Sequence, residues 1–418
     1  MPPVLTLLGN CLAGCVVAIV LPLLSGAVAA NASEKVLYSF QGGRDGAFPG
    51  GGLIADDAGD LYGTTSNGGA GCPFKSGCGT VFKITPVGAE TVLYAFQANS
   101  DGAGPNGIIA DKSGNFFGTT QAGGTYDFGT VFKLAPNGEE TVLYAFHGAG
   151  DGGLPIGNPV KDGNGNLYGV TLWGGNTNQC NNTGCGTVFE LQPNGNKITL
   201  YAFQGGNDGA APITGLVADA SGDIYGTTSM GGNCDSNSSG CGVVFKITPG
   251  GTETVLYAFQ GGSDGSEPDS VLKMDKAGIL YGTTAYGGSS TNCPNGSQGC
   301  GTVFKLAPDG TETVLYAFQG GSDGQLPTSG LIADNAGNLY GPTVYGGGTG
   351  CGKTGHIGCG TIFKLAPDGT ETVLCMFKRS HGYGRYPSAA LLKAKDGLLY
   401  GTTQDGGAGY GVVFSLKK

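Results

Sequence analysis

The apolar positions of this chain fall in short alternating runs between glycine-rich turns, and the same runs recur in the same order. A run of the form VLYxF occurs seven times, first at Val36–Phe40 and last at Val373–Phe377. Three further runs follow each copy, and in the first repeat they are Leu53–Asp56, Leu61–Thr65 and Thr80–Thr85. These runs are rich in β-branched and aromatic residues, which favour strands. No segment after residue 30 has a helical spacing of apolar residues, so the pattern predicts an all-β protein.

The spacing of the repeat predicts a closed ring. Successive VLYxF runs begin 50 to 59 residues apart, which is room for four antiparallel strands, and seven such units are typical of a seven-bladed β-propeller. We name the strands A to D from the axis outward, in the order GLIAD, LYGTT, GTVFK and VLYxF. The last unit has Leu391–Ala394, Leu399–Thr403 and Gly411–Leu416 but no strand D. We therefore predict that Lys35–Phe40 supplies the outer strand of the last blade and closes the ring.

The turns predict where a functional site lies. The A–B turns read Asp-x-x-Gly and the C–D turns read Pro-x-Gly, as at Asp56–Gly59 and Pro136–Gly138, which is ordinary chemistry for tight turns. The D–A and B–C connections are less constrained, and antiparallel alternation places both on the same side of the disc. We call this side the loop face and expect any site to lie there.

Ten of the 13 cysteines occur as close pairs in the B–C connections of five repeats. The pairs are Cys72 and Cys78, Cys180 and Cys185, Cys234 and Cys241, Cys293 and Cys300, and Cys351 and Cys359. Repeats 2 and 7 lack both members, and this loss in pairs predicts disulfides formed in an oxidising compartment. Zinc is the alternative, but one pair per blade provides no set of four ligands. Cys375 replaces the usual tyrosine of strand D and is predicted to be a buried free thiol.

The N-terminus predicts export. Residues 1–29 are apolar and end in small residues, which predicts a signal peptide before a single propeller over residues 30–418. A lipoprotein with its lipid on Cys15 and a retained membrane anchor are the alternatives. We expect a secreted, periplasmic or extracellular monomer with no membrane span after cleavage. The net charge of −10, without a basic stripe, argues against a nucleic-acid partner.

The repeat unit GLIAD-x-x-GNLYGTT, followed by GTVFKL-x-P-x-GTETVLYAF, resembles the GloVer tandem repeat of the choice-of-anchor bacterial exported proteins. The resemblance covers essentially all of the chain after the apolar N-terminal segment. It implies export and a surface or extracellular location, and it brings no established catalytic residues. The chain departs from anchored members by ending in Lys417 and Lys418 directly after its last strand, so we do not expect a C-terminal anchor.

Positions where the repeats differ are the candidates for ligand binding. The residue before the Gly-Gly pair that follows strand B is different in most repeats: Asn67, Ala122, Trp173, Met230, Tyr286, Tyr345 and Asp405. Trp173, Tyr286 and Tyr345 are aromatic and lie on the predicted loop face, where they could stack on sugar rings. The alternative is that these rings pack beneath their own loops.

Charged residues on the same face raise two further hypotheses. Six D–A connections share a segment of the form Gly-Gly-x-Asp-Gly, or a variant of it, whose aspartate is a candidate calcium ligand or a turn residue: Asp45, Asp101, Asp151, Asp208, Asp264 and Asp323. Calcium prefers such hard oxygen ligands, although the dense spacing of a calcium loop is missing, and no other cofactor or metal is expected. Glu267 and Asp269 in repeat 5, with His381 and Arg385 in repeat 7, are the candidates for acid–base catalysis.

Three functional hypotheses follow from the sequence. The leading one is a secreted, non-catalytic propeller that binds a glycan or a cell-surface ligand through its loop face. The second is a polysaccharide-active hydrolase or lyase with its site at the pore mouth of that face. The third is a structural surface protein without a small ligand.

Overall fold

The computed structural model confirms a seven-bladed β-propeller. It describes residues 34–418 except 177, 179, 233, 235–239, 291–292, 294–298, 349, 352–357 and 381. Seven antiparallel sheets, each containing strands A to D, are arranged in a ring. The predicted signal peptide lies outside the described residues. Within the part of the chain that the structure describes, no helix is long and apolar enough to cross a membrane.

The strands follow the predicted runs closely. The B strands are Leu61–Asn67, Phe116–Ala122, Leu167–Trp173, Ile224–Thr228, Leu280–Thr284, Leu339–Thr343 and Leu399–Thr403. The C strands are Thr80–Ile84, Thr130–Leu134, Thr187–Leu191, Val243–Ile247, Thr302–Leu306, Thr361–Leu365 and Val412–Leu416. The D strands are Lys35–Ser39, Glu90–Ala95, Glu140–Ala145, Lys197–Ala202, Glu253–Ala258, Glu312–Ala317 and Glu371–Met376. Three short 3-10 turns are Ala149–Asp151, Cys180–Asn182 and Gly206–Asp208.

The A strands are shorter than predicted in most blades. They are Ile54–Ala55, Ala103–Ala110, Gly153–Lys161, Val217–Ala218, Lys273–Met274, Ile332–Ala333 and Leu392–Lys393. In blades 2 and 3 strand A is continuous with part of the D–A connection. Two further short segments of that connection form strands, Ala47–Pro49 and Gly384–Arg385, of which the second pairs with Asp405–Gly406. Seven strands converge at the axis, and in the other five blades strand A leaves the sheet after two residues.

The N-terminal strand closes the ring as predicted. Lys35–Ser39 pairs with Val412–Leu416 in a register that runs from Lys35↔Ser415 to Ser39↔Val412. Just before it, the Glu34 carboxylate accepts a 2.8 Å hydrogen bond from the N–H of Gly384. The outer edge of strand C in blade 7 is therefore covered, and the first and last strands are held together by main-chain hydrogen bonds.

Each junction between blades contains the same pair of buried phenylalanines. One ring comes from the end of strand D and the other from strand C of the next blade, with centroids 5.1 to 5.3 Å apart and an edge-to-face arrangement. The junction pairs are Phe40–Phe82, Phe96–Phe132, Phe146–Phe189, Phe203–Phe245, Phe259–Phe304, Phe318–Phe363 and Phe377–Phe414. Such pairs contribute about 1 kcal/mol beyond the area they bury. The junction that contains the N-terminal Phe40 is thus equivalent to the others.

Small residues at the start of strand A allow the blades to approach the axis. The positions in contact around it are Gly51, Gly52, Gly107, Asn158, Gly215, Val271, Gly330 and Ala390. A Cβ atom on Gly51 would lie 2.6 Å from the Cα of Gly107, too close for any side chain. Close packing at the axis therefore requires a glycine at position 51.

The D–A and B–C connections lie on the same face and pair with one another. Main-chain pairs join the residue after the Asp-Gly step to the variable residue at or just beyond the end of strand B, as in Ala47↔Asn67, Gly153↔Trp173 and Ser266↔Tyr286. The two kinds of connection therefore form one continuous surface, as the antiparallel order of the strands predicts.

All five predicted disulfides are present in the B–C connections. They join Cys72 to Cys78, Cys180 to Cys185, Cys234 to Cys241, Cys293 to Cys300 and Cys351 to Cys359. The Cα atoms within each pair are 5.1 to 5.9 Å apart, which is an ordinary separation for a disulfide. The second cysteine of each pair lies two residues before strand C, so each bond ties its loop to the start of that strand. Cys375 is buried and free, as predicted.

Candidate functional site

A cavity of about 720 Å³ opens at the axis on the loop face. It is formed mainly by the residues between a recurrent proline and strand A, and every blade contributes to it. This segment begins at Pro49 in blade 1 and at Pro105 in blade 2. Its side chains line the axis because strand A, which follows it, is the innermost strand of each sheet.

The cavity extends outward over blades 1 and 2, where the repeats carry small residues. Blade 2 has Gly104 before the proline, where blade 7 has Tyr386, and Ala122 after strand B, where blade 6 has Tyr345. The aromatic rings of Phe48 and Phe74 form the walls of this extension and are 38% and 58% exposed. The small residues thus leave room for a groove with aromatic sides.

Amide side chains line the same extension and are held in place. The Nδ2 atom of Asn106 donates to Thr119 Oγ1 at 2.9 Å and to the Pro155 carbonyl at 2.8 Å. Its Oδ1 atom accepts a 2.9 Å hydrogen bond from Gln121 Nε2. Asn67 Oδ1 accepts a 3.0 Å hydrogen bond from Ser66 Oγ. Fixed amides beside exposed rings can bind an uncharged ligand that is rich in hydroxyl groups.

Asp269 is the only ionisable residue among the described residues that line the cavity. Its Oδ1 atom is buried and has no hydrogen-bond partner. Burial, followed by the neighbouring Glu267, raises the pKa of Asp269 to about 8. In the adjacent blade, Ser329 is 5% exposed and its hydroxyl also lacks a partner. At neutral pH the lining is therefore mostly uncharged, and it includes two buried polar groups without a protein partner.

Four of the residues predicted from the sequence lie together beside blades 5 and 6. The pKa of Tyr286 is raised by burial and then by Glu267, Asp269 and Tyr345. Burial also raises the pKa of Glu267. The Tyr345 ring packs against Tyr386 with centroids 5.4 Å apart. Among these residues only Asp269 lines the cavity, so the tyrosines form a half-buried cluster next to it.

The remaining predicted residues are elsewhere. Trp173 lies at the end of strand B in blade 3, is 41% exposed and does not line the cavity. Arg385 forms a 2.9 Å ion pair with Asp405 of its own blade. His381 lies outside the described residues. The catalytic grouping of Glu267, Asp269, His381 and Arg385 stays a prediction.

The aspartates considered as calcium ligands have a shared structural role. Asp45, for example, accepts hydrogen bonds from the Tyr38 hydroxyl at 2.9 Å and from the N–H of Gln41 at 2.7 Å. The same pair of contacts recurs in the other five connections. Each aspartate therefore ties the end of strand D to the start of its loop.

Sequence reasoning did not identify Phe48, Phe74, Asn106 and Gln121 as site residues. A usable signal was present at Gly104 and Ala122, because they are the smallest residues at positions that are bulky in other repeats. A small residue at a position that is bulky in other repeats leaves space for a ligand, and it can therefore indicate a site as clearly as an unusual large side chain.

Exposed apolar side chains are concentrated on the loop face. Among the described residues, large hydrophobic side chains with high exposure number eleven. Eight of them lie in D–A or B–C connections or in the strand ends beside them: Phe48, Phe74, Tyr126, Phe128, Trp173, Met230, Tyr383 and Tyr410. Such a concentration is typical of an interaction surface.

A model of the Gloeobacter/Verrucomicrobia repeat family matches four overlapping segments, residues 25–181, 74–294, 148–355 and 290–418. These segments together span nearly the whole chain. The protein belongs to this family, which confirms the resemblance to the GloVer repeat. No match is found among curated proteins.

Solved propellers share the fold at low sequence identity. Virginiamycin B lyase from Staphylococcus aureus is 11% identical, with a TM-score of 0.54 over 89% of this chain and 96% of that one. The extracellular domain of the putative hybrid two component system BT4673 from B. thetaiotaomicron is 9% identical, with a TM-score of 0.59. That match covers 91% of this chain and 39% of the other. The similarities establish the fold alone.

Proposed function

We propose that this Gloeobacter/Verrucomicrobia repeat protein is an exported propeller that binds a neutral glycan in its axial cavity. The observation that carries the proposal is the lining of the cavity, which combines the exposed rings of Phe48 and Phe74 with fixed amides and a single ionisable group among its described residues. Sugar rings stack on aromatic faces, while their hydroxyl groups exchange hydrogen bonds with amides. The volume of about 720 Å³ suits a short oligosaccharide segment.

Export is supported by the disulfides. Five short-range bonds close B–C connections on the loop face, and such bonds persist in oxidising compartments outside the cytosol. This agrees with the signal peptide predicted over residues 1–29. A glycan-binding propeller would therefore meet its ligand at or beyond the cell surface.

The test compares cavity residues with exposed aromatics elsewhere on the same face. Binding to a panel of neutral polysaccharides, such as xylan, mannan and β-glucan, should weaken at least about tenfold in Phe74→Ala and in Gln121→Ala, as expected when a stacking ring or a fixed amide is lost. Tyr126→Ala is the matched control, because its ring is 49% exposed on the loop face but lies outside the cavity. Equal losses in Tyr126→Ala, or unchanged binding in Phe74→Ala, would contradict the proposal.

Trp173→Ala separates this site from the one expected from the sequence. If the glycan lies in the axial cavity, Trp173→Ala binds normally. If the glycan instead stacks on the aromatic residues after strand B, Trp173→Ala and Tyr286→Ala lose binding while Phe74→Ala keeps it. The pattern across the three variants therefore locates the ligand.

The position of Asp269 favours polysaccharide hydrolysis or cleavage as a second candidate function. A carboxyl group with a pKa near 8 is protonated at neutral pH and can act as a general acid, and Glu267 provides a neighbouring carboxylate. Release of reducing ends or unsaturated products from the bound polysaccharide would support this function. Asp269→Asn should abolish that release while binding is retained, and the absence of any product from the unmodified protein would remove the candidate.

A further inference from the structure

A second set of acidic groups lies away from the cavity, at the junctions between blades. In six blades the first residue of strand D interacts electrostatically with the D–A aspartate that follows strand D of the preceding blade, and in blade 3 this contact is a hydrogen bond of 3.0 Å. In five blades this first residue is a glutamate: Glu90, Glu140, Glu253, Glu312 and Glu371. Their facing aspartates are, in the same order, Asp45, Asp101, Asp208, Asp264 and Asp323. We call these pairs the junction acids.

The junction acids contain buried oxygen atoms without partners. At the junction of blades 1 and 2, Asp101 is 7% exposed, and one of its oxygens accepts hydrogen bonds from the Tyr94 hydroxyl and the Gln97 N–H. Its other oxygen, Oδ1, is buried and unpaired, as is Oε1 of Glu140. The glutamate Oε1 atom is buried and unpaired at all five junctions, and Asp208 repeats the unpaired aspartate oxygen.

Blade 3 shows what this arrangement accommodates. Its strand D begins with Lys197 in place of glutamate, and the side chain of this lysine is only 3% exposed. The ammonium group donates to Asp151 Oδ1 at 3.0 Å, to the Asp151 carbonyl and to Thr199 Oγ1 at 2.8 Å. A positive charge is thus held by the aspartate carboxylate and main-chain carbonyl of the same connection that recurs at the other junctions.

Two neighbouring carboxylates at a partly buried site require a counter-charge or a proton. Burial, and then the facing aspartate, raises the pKa of Glu140 to about 7 and that of Glu371 to about 8. At neutral pH the negative charge of each pair can therefore be neutralised either by a proton on the glutamate or by a bound cation. The lysine of blade 3 shows that the surrounding backbone tolerates a cation at this place without rearrangement of the repeat.

We propose that each of the five junctions with paired acids binds a calcium ion between the aspartate and the glutamate, at the place that the Lys197 ammonium takes in blade 3. Two carboxylates and a main-chain carbonyl are hard oxygen ligands, and water completes the coordination that calcium requires. The two negative charges balance one divalent cation. This role is separate from glycan binding and concerns the cohesion of the ring.

The number of bound ions tests this inference. The full protein is stripped with EDTA, equilibrated with calcium chloride by dialysis and analysed for bound calcium. Glu140→Lys, which copies blade 3, should bind one ion fewer than the unmodified protein, and Lys197→Glu should bind one more. Glu139→Lys is the matched control, because it makes the same charge change at the adjacent exposed residue and should leave the number unchanged.

A neutral substitution and a melting curve complete the test. Glu140→Gln removes one ligand without adding a charge and should also bind one ion fewer, so the result does not depend on the folding of Glu140→Lys. Calcium should raise the melting temperature of the stripped protein. If no calcium binds, or if Glu140→Lys and Lys197→Glu bind the same number of ions as the unmodified protein, the inference is wrong and the junction acids are neutralised by protons.

Discussion

Asp269 places an ionisable group at a repeated position that is uncharged in the other six blades. The residue after the recurrent proline is Gly50, Asn106, Ile156, Ile213, Asp269, Thr328 or Ser388 in the seven blades. Only blade 5 places a carboxyl group there, and this carboxyl lacks a partner for Oδ1. An unpaired buried carboxyl costs stability when it ionises.

The pKa of Asp269 has a direct consequence for stability. The group binds its proton more tightly in the folded protein than in the unfolded chain, so its contribution to stability falls as the pH rises from about 4 to about 8. Asp269→Asn removes this titration. We expect the melting temperature of the variant to decline less between about pH 6 and about pH 9 than that of the unmodified protein. If the melting temperatures of the two proteins change with pH in parallel, ionisation of Asp269 does not destabilise the folded protein.

The glycines at the axis allow a second test at single positions. Gly51→Ala places a methyl group 2.6 Å from the Cα of Gly107, and neither main chain can move freely. We expect this change to lower the free energy of unfolding by about 1–3 kcal/mol, as overpacking does. Gly52→Ala is the control, since its nearest contact would be 3.8 Å, an ordinary van der Waals distance. Equal unfolding free energies for both variants, measured in denaturant, would contradict close packing at blades 1 and 2.

At the scale of elements, the D–A and B–C connections act as one unit. The residue before the recurrent proline has a positive φ in every blade, from Leu154 at 54° to Gly104 at 62°. This is an unusual conformation before proline. Its N–H donates to a main-chain carbonyl shortly before strand C of the preceding blade, as from Glu267 to Cys241 at 2.9 Å. In each blade with a disulfide, this carbonyl belongs to the second cysteine of the pair, so the disulfide fixes the residue that accepts the hydrogen bond from the neighbouring blade, as Cys241 does from Glu267.

The disulfide of blade 6 gives the prediction at this scale. Replacing Cys351 and Cys359 together by alanine frees the loop that they close, and we expect the unfolding free energy to fall by about 2 kcal/mol in the chain-entropy model. The measurement is a denaturant titration of both proteins. In reducing buffer the difference should largely disappear, because the unmodified protein then loses the same bond. A variant as stable as the unmodified protein in oxidising buffer would show that the loop is rigid without it.

At the scale of the whole molecule, we expect the closure of the ring by the N-terminal strand to contribute strongly to stability. The N-terminal strand covers the edge of strand C in blade 7, and Phe40 completes one of seven equivalent phenylalanine pairs. Without this strand, one blade has an open edge, which is both a loss of core and a site for aggregation. The other six blades contain their own outer strands.

Removal of the closing strand therefore has a predictable effect. A chain that begins at Gln41 should melt about 10 °C below one that begins at Glu34, because it loses a buried phenylalanine and a strand of main-chain hydrogen bonds. Thermal unfolding followed by circular dichroism compares the two directly. The chain that begins at Glu34 is the control, as it retains every described contact of the strand. Equal melting temperatures would contradict closure by residues 35–39.

The sequence by itself determined the number of blades, the order of the strands, the ring closure and the disulfides. These are set by local alternation, by turn residues and by spacing along the chain, all of which a repeat displays seven times. Only the tertiary structure decided that the cavity opens over blades 1 and 2, and that Phe48 and Phe74 rather than Trp173 border it. It also brought each strand-D glutamate to the aspartate of the preceding blade. These features depend on contacts between residues far apart in the chain, which leave no local signature, and on the small residues Gly104 and Ala122, whose effect depends on which side chains surround them in space.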